Sequence, residues 1–151
     1  LTEFSLVNWR GSGGHIDFSP VGPLTGKHMR EMNDMARARV HEYGFDHLCG
    51  FYCDSRAQRF VNTLVFRKGD VEEMRKVREL FGLLIRELGE KGYGEYRTHL
   101  AYMDAVADIY DYNNHAMRRF QEQLKDAIDP NGVIAPGKSG VWPRQYREPT
   151  A

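Results

Sequence analysis

Two tyrosines, an arginine and a histidine fall within eight residues, Gly92-Tyr93-Gly94-Glu95-Tyr96-Arg97-Thr98-His99. The phenol of Tyr96 can donate one directed hydrogen bond, and the adjacent Arg97 supplies a permanent positive charge with a fork of donors. A tyrosine beside a guanidinium is therefore a good receptor for a small anion. The same pair also occurs on ordinary protein surfaces, so the other polar residues of the chain must decide between the two interpretations.

His15 is a second candidate, because it follows Gly11-Ser12-Gly13-Gly14 and begins a short alternating run. Glycines let another body approach the backbone closely, so the imidazole could project toward a ligand. The competing interpretation is a histidine at a strand edge with no special role.

The cysteines and the other histidines do not form a metal motif. Cys49 and Cys53 lie in a predicted strand, where they would point to the same face about 13 Å apart, too far for a disulfide. No second cysteine pair accompanies them, so we predict reduced thiols and no metal site. Lys138 lies in a glycine-containing segment, residues 132–142, whose spacing is not that of a phosphate-binding loop.

Periodic patterns predict the elements that carry these residues. Helical spacing of apolar residues predicts helices at about 25–43, 70–91, 100–110 and 114–128, and alternation predicts strands at 15–20, 47–53 and 59–66. In the last helix, Phe120, Leu124 and Ala127 are predicted to point inward. Both faces of the third strand carry apolar residues, which indicates cover on both sides.

The order strand, helix, strand, strand, helix is that of a ferredoxin-like split βαβ unit. We therefore predict an α+β fold with helices on one face of an antiparallel sheet, followed by a helical C-terminal segment and an extended strap. The apolar content of the strap indicates that it packs against other residues. The texture of the sequence changes beyond Gly94, so residues 1–94 and 95–151 are predicted to form different parts of the chain.

Composition limits the possible partners. The 151 residues include 21 basic and 21 acidic ones, so no overall field favours nucleic acid or an acidic membrane surface. No apolar run reaches the roughly 18 residues that cross a bilayer, and the start has no signal-peptide pattern. We expect a cytoplasmic protein without a nucleic-acid or membrane partner. Because the chain opens on Leu1 without a methionine, we also expect a piece of something longer.

Three motifs occur in order along the chain. They are the segment from Gly94 to Asp104 (GEYRTHLAYMD), the segment 126–132 (DAIDPNG) and the segment 135–143 (APGKSGVWP). Together they resemble the C-terminal part of the vanillyl-alcohol oxidase and eugenol oxidase family, flavoenzymes that oxidise para-substituted phenols and to which 4-cresol methylhydroxylase is related. The resemblance covers essentially the whole chain, but the family's N-terminal FAD-binding domain has no counterpart in it. It implies that residues 1–94 are part of the substrate-binding cap domain and that residues 95–151 are a C-terminal segment returning to the FAD-binding domain.

The resemblance implies a role for each site residue. Tyr96 and Arg97 would clamp the substrate's phenolate oxygen, with Arg97 also near the flavin. His15 would bond covalently to the flavin 8α carbon. The cresol enzyme uses instead a tyrosine slightly upstream, where Val7 aligns, so the chain looks like the histidyl-linked oxidase branch.

Other positions follow from the same resemblance. Glu3 falls near a family active-site glutamate, and Lys138 near the pyrimidine edge of the flavin. Asp17 and Gly50 depart from the family pattern at positions that flank the substrate's para side chain, so the preferred phenol is open.

The function implied is FAD-dependent hydride transfer from the benzylic carbon of a para-substituted phenol, with reoxidation by dioxygen. Its partners would be the missing FAD-binding domain or chain and further copies in a homodimer or higher oligomer, so this chain alone is expected to be inactive. Two alternatives stay open: a cytochrome-linked 4-alkylphenol dehydrogenase, and a stand-alone ferredoxin-like ligand-binding module.

Overall fold

The computed structural model describes residues 3–147, apart from the side chains of Glu3, Phe4 and Leu6. The chain divides into two compact units after His99. The predicted assignment of residues 1–94 and 95–151 to a cap domain and a C-terminal segment stays a prediction.

The first unit contains three helices and four strands. In chain order they are α1 (Glu3–Gly11), β1 (Gly14–Phe18), β2 (Val21–Pro23), α2 (Gly26–Glu42), β3 (Leu48–Cys53), β4 (Ala57–Phe66) and α3 (Val71–Glu90).

β4 is a central strand of the antiparallel sheet. β3 pairs with one side of it, and β1 and β2 pair with the other side in a single register, with Phe18 opposite Asn62 and Val21 opposite Arg59. Residues 94–96 join outside this edge through an antiparallel bridge between Pro20 and Glu95. The order is therefore residues 94–96, β1 and β2, β4, β3, which is ferredoxin-like and confirms the predicted fold class.

The core lies between one face of the sheet and two helices. Phe60 and Leu64 of β4 and Phe18 of β1 are fully buried there, and the rings of Phe18 and Phe81 meet edge to face with centroids 5.7 Å apart. The helices contribute buried side chains at helical spacing: Met32, Ala36 and Val40 from α2, and Phe81, Leu84 and Leu88 from α3. Asp70 caps α3 by accepting from the N–H groups of Glu72 and Glu73.

The opposite face of β4 differs from the prediction. Thr63 on that face is buried, but Arg59, Val61 and Val65 are only half-buried, so the face is partly covered.

Two elements of the first unit were not predicted. α1 has weak amphipathic spacing, yet its Val7 is 3% exposed and the helix packs against β1 and β4. β2 is only three residues long and ends in a proline, so pairing with β4 rather than local propensity makes it a strand.

The second unit is helical, with a 3₁₀ turn at Leu100–Tyr102, α4 (Met103–Ile109), α5 (Tyr112–Ile128) and further 3₁₀ turns at Lys138–Gly140 and Arg144–Tyr146. The predicted packing of the strap is confirmed, since Gly140 is buried against α4 and the Trp142 Nε1–H donates to Asp104 at 2.7 Å.

The predicted inward face of α5 is wrong. Phe120 and Leu124 are 57% and 47% exposed, and Ala127 is exposed too, because no described residue packs over this stripe. No helix within residues 3–147 has the length and apolarity to cross a membrane.

Candidate active site

A cavity of about 570 Å³ opens on the partly covered face of the sheet. Its walls come from β1, β3, β4 and the segment after α3, all within the first unit. The lining residues are His15, Ile16, Asp17, Ser19, Tyr52, Arg59, Val61, Tyr96, Arg97, Thr98 and His99. Four predicted site residues that are far apart in sequence, His15, Asp17, Tyr96 and Arg97, therefore meet at one site.

β1 positions His15 and Asp17. Alternate residues of a strand point to opposite faces, so both side chains are exposed on the cavity side while Phe18 is buried below. The Thr63 hydroxyl donates to Asp17 Oδ1 at 2.6 Å, and Thr63 is directly opposite Asp17 in the sheet. The position of the carboxylate is thus set by the central strand.

The junction of β1 and β2 positions Tyr96 and Arg97. The N–H of Val21 donates to the Gly94 carbonyl at 2.9 Å, and the N–H of Tyr96 donates to the Ser19 carbonyl at 3.4 Å. Both side chains are exposed at the cavity, and Arg97 makes no salt bridge with a carboxylate within residues 3–147. Its charge is therefore available to an anion.

Glu95 anchors the same segment from below. It is 2% exposed and its Oε1 accepts from the Ser19 N–H at 3.3 Å. Burial raises the pKa of Glu95 to about 7, and the charge of Asp17 acts in the same direction, while hydrogen bonds from Ser19 and Thr98 oppose the shift. The carboxyl group immediately before Tyr96 therefore titrates near neutral pH.

Tyr93, the other tyrosine of this stretch, does not line the cavity. It is buried, its hydroxyl donates to Glu31 Oε2 at 2.7 Å, and His28 Nδ1 lies 2.7 Å from the same oxygen. Burial, together with Glu31, raises the pKa of Tyr93 to about 12. Its role is to hold the segment to α2.

Arg59 is a cavity residue that the sequence patterns did not single out. Its guanidinium carbon lies 5.6 Å from the centre of the Tyr96 ring and 5.9 Å from that of Tyr52. Its Nη2 also pairs with Asp54 Oδ2 at 2.9 Å. One signal in the sequence was available. Arg59 lies two residues before Val61, so both side chains are on the same, partly covered face of β4.

Gly50 does not line the cavity but lies next to it. It is opposite Val61 in the sheet, and a Cβ added there would meet nothing within 4 Å. Its predicted place beside the substrate's para side chain stays untested.

Lys138 and Glu3 are not part of this cavity as described. Lys138 is exposed in the second unit, where it lines a separate cavity of about 320 Å³ with Trp142, Asp104 and neighbouring strap residues. Glu3 begins α1, but its side chain lies outside the described residues.

Comparisons with known proteins give the relatives of the chain. No protein-family model matches it. The flavoprotein subunit of 4-cresol dehydrogenase (hydroxylating) from Pseudomonas putida is 33% identical over 141 residues, which cover 93% of this chain and 26% of that protein.

Two solved structures are closely similar. One is 4-ethylphenol oxidase from Gulosibacter chungangensis in complex with isoeugenol, with a TM-score of 0.86 and 34% identity over 89% of this chain and 26% of that one. The other is p-cresol methylhydroxylase with substrate bound, with a TM-score of 0.87 and 33% identity over 93% of this chain and 27% of that one. The chain thus spans about a quarter of the length of these relatives.

Over about nine-tenths of its length the chain is thus similar to flavoprotein oxidoreductases, the class to which these relatives belong. Within that class the similarity is to about a quarter of each relative and is consistent with the C-terminal part of the vanillyl-alcohol oxidase and 4-cresol methylhydroxylase family. The predicted family is confirmed, and the roles of individual residues stay predictions.

Proposed function

We propose that this chain forms the phenol-binding side of the active site in an FAD-dependent oxidoreductase. Its substrates would be para-substituted phenols: 4-alkylphenols, vanillyl-type alcohols or eugenol-like compounds. The observation that carries the proposal is the single cavity that gathers Tyr96, Arg97, His15 and Asp17. The relatives named for 4-cresol and 4-ethylphenol support the substrate class.

Tyr96 and Arg97 would act on the oxygen of the phenol. Tyr96 donates a hydrogen bond and Arg97 supplies positive charge, so both favour the ionised phenolate over the neutral phenol. A phenolate pushes electron density toward its para carbon, which lowers the barrier to hydride loss from the benzylic position. The two side chains thus stabilise the charge that drives the reaction, and their backbone positions are set before substrate binds.

The cavity residues fit an FAD group. The imidazole of His15 is exposed at the cavity, where it would form the bond to the flavin 8α carbon, and the exposed Arg97 could face the N1 and C2 carbonyl edge. Lys138 would hold the pyrimidine edge, and Glu3 would approach the bound substrate. When bound, FAD would supply the hydride acceptor.

Reoxidation by dioxygen is the proposed second half of the reaction. Val7 is buried and, as a valine, cannot form the tyrosyl link of the cresol enzyme, so His15 is the candidate attachment point. A histidyl link is the reason why the chain resembles the oxidase branch, whose flavin is reoxidised by dioxygen. A cytochrome-linked dehydrogenase is the second candidate, favoured by the name of the Pseudomonas relative. Steady-state hydrogen peroxide production with 4-ethylphenol supports the oxidase, and turnover only with an added electron acceptor supports the dehydrogenase.

Covalent attachment is tested in the complete enzyme by acid precipitation. We expect a yellow precipitate from the wild type and a colourless one from His15→Ala. His41→Ala is the matched control and should stay yellow, because His41 is an exposed residue of α2 outside the cavity. A colourless wild-type precipitate would exclude a covalent link.

A stand-alone ligand-binding module is the remaining alternative. It requires that the chain by itself bind a phenol tightly without flavin, whereas we expect the chain alone to be inactive because the FAD-binding segment is not in these residues. Titration of the isolated chain with isoeugenol separates the two.

A further inference from the structure

Arg59 lies between two aromatic rings at the cavity. The distances to Tyr52 and Tyr96, 5.9 and 5.6 Å, are those at which a guanidinium is attracted to the face of a tyrosine ring. Tyr52 is also directly opposite Arg59 in the β3–β4 pairing. The guanidinium is therefore next to the Tyr52 ring, whose backbone position is fixed by strand pairing, and next to the Tyr96 ring, which comes from a segment outside β3 and β4.

The two ends of this contact differ in how firmly they are held. Arg59 is on the central strand, paired with Val21 on one side and Tyr52 on the other. Tyr96 belongs to a segment joined by an isolated bridge, and its side chain is 48% exposed. Its backbone is tied to Ser19, but that bond does not determine the direction of the ring.

The polar contacts of Arg59 are consistent with a role directed at the rings. Its Nη2 pairs with Asp54, which is 60% exposed, so that ion pair is worth little in orienting the side chain. Its Nε is buried and has no acceptor within the described residues. A buried donor without a partner is unfavourable, so the position of this side chain must be favoured by its other contacts. Besides the exposed Asp54, the contacts given for the guanidinium are the two rings.

We propose that Arg59 is a positioning residue that holds the Tyr96 ring, and with it the hydroxyl, in the direction needed to bind a phenolate. The inference rests on the proposed role of Tyr96 in phenol binding. It goes beyond that role because Arg59 acts through the ring rather than on the substrate.

A double-mutant cycle in the complete enzyme tests the proposal, with isoeugenol affinity measured by the change in flavin absorbance. Arg59→Met should weaken binding roughly 3- to 30-fold, the range expected for loss of a cation–π contact. In a Tyr96→Phe background the ring is still present but its hydroxyl is gone, so the same change should weaken binding less than about 2-fold. Equal losses in both backgrounds would mean that Arg59 acts on the ligand or on the fold, and would overturn the proposal.

Arg56→Met is the matched control, because it removes the same charge from an exposed position in the β3–β4 loop. Its isoeugenol affinity should equal that of the wild type, and a loss as large as that of Arg59→Met would assign the effect to net charge. Thermal unfolding must also show that Arg59→Met is folded.

A crystal structure of Arg59→Met gives a readout independent of phenol binding. A displaced or disordered Tyr96 ring supports the inference, and a ring in its original position overturns it. If the wild-type enzyme binds no phenol at all, the proposed function fails, while the ring position still decides whether Arg59 positions Tyr96.

Discussion

The backbone N–H of Ser19 donates to Oε1 of Glu95 over 3.3 Å, and this bond joins the link between β1 and β2 to the residue directly before Tyr96. Glu95 is almost fully buried, and its pKa is raised from 4.5 to about 7. The folded protein therefore binds this proton more tightly than the unfolded chain does. The stability gained from the protonated form is fully present below pH 4.5 and is lost as the pH rises through 7.

Glu95→Gln should remove this pH dependence. From the size of the pKa shift, the contribution of Glu95 to the unfolding free energy should fall by up to roughly 3 kcal/mol between pH 4.5 and 8. We expect the glutamine variant to be more stable than the wild type at pH 8 and similar to it at pH 4.5, by urea unfolding. The control is Glu90→Gln at an exposed position at the end of α3, which should keep the wild-type profile. An unchanged slope in the Glu95 variant would contradict the assignment.

Tyr96→Phe should slow reduction of the enzyme by phenols. Removing one hydrogen bond to a charged oxygen costs about 1.5–3 kcal/mol, so the rate or the affinity for phenolate-like inhibitors should fall roughly 10- to 150-fold. Anaerobic stopped-flow reduction measures the rate. Tyr112→Phe makes the same change on a tyrosine that is 87% exposed in the second unit, and should behave like the wild type. Unchanged reduction and inhibitor binding in Tyr96→Phe would remove Tyr96 from the clamp.

Thr63 and Asp17 should be energetically coupled. The Thr63 hydroxyl donates to Asp17 Oδ1 at 2.6 Å, and a bond to a partly solvated carboxylate contributes on the order of 1 kcal/mol. A double-mutant cycle of Thr63→Val and Asp17→Ala, followed by urea unfolding, should give a coupling energy of about that size. Strict additivity of the two changes would show that the bond contributes nothing measurable to folding.

Replacing Gly14 and replacing Gly50 by alanine should change the stability of the protein in different ways. A Cβ at Gly14 would lie 2.3 Å from the carbonyl oxygen of Phe66, so β1 would have to move away from β4 and take His15 with it. Gly14→Ala should therefore destabilise the protein and reduce covalent flavin content. Gly50→Ala meets nothing within 4 Å and should be neutral or stabilise by about 0.4–1 kcal/mol, because it restricts the unfolded chain. Urea unfolding of both variants measures their free energies of unfolding, and equal values would refute the predicted difference between the two positions.

Residues with a strong local pattern were predictable from sequence. Three such features appear in the structure as expected: the buried apolar stripe of α3, its cap Asp70 and the alternating burial along β4. Each depends only on residues that are a few positions apart in the sequence. β2 was missed because its three residues become a strand only through β4, and the buried face assigned to Phe120 fails because nothing described packs on it. Of the site, the motifs identified Tyr96, Arg97 and His15. Arg59 was missed because its meaning depends on a ring that is distant in sequence.

The continuous register from β1 to β2 has a consequence for how this family can vary. Backbone contacts of the edge strand hold Tyr96 and Arg97, whereas side chains from β3 and β4, such as Tyr52 and Val61, shape another part of the cavity wall. A wall residue can therefore be exchanged without disturbing the main-chain bonds that carry the polar pair. With this division, selection or protein engineering can change which substrates the cavity admits while the two residues proposed to bind a phenolate keep their positions.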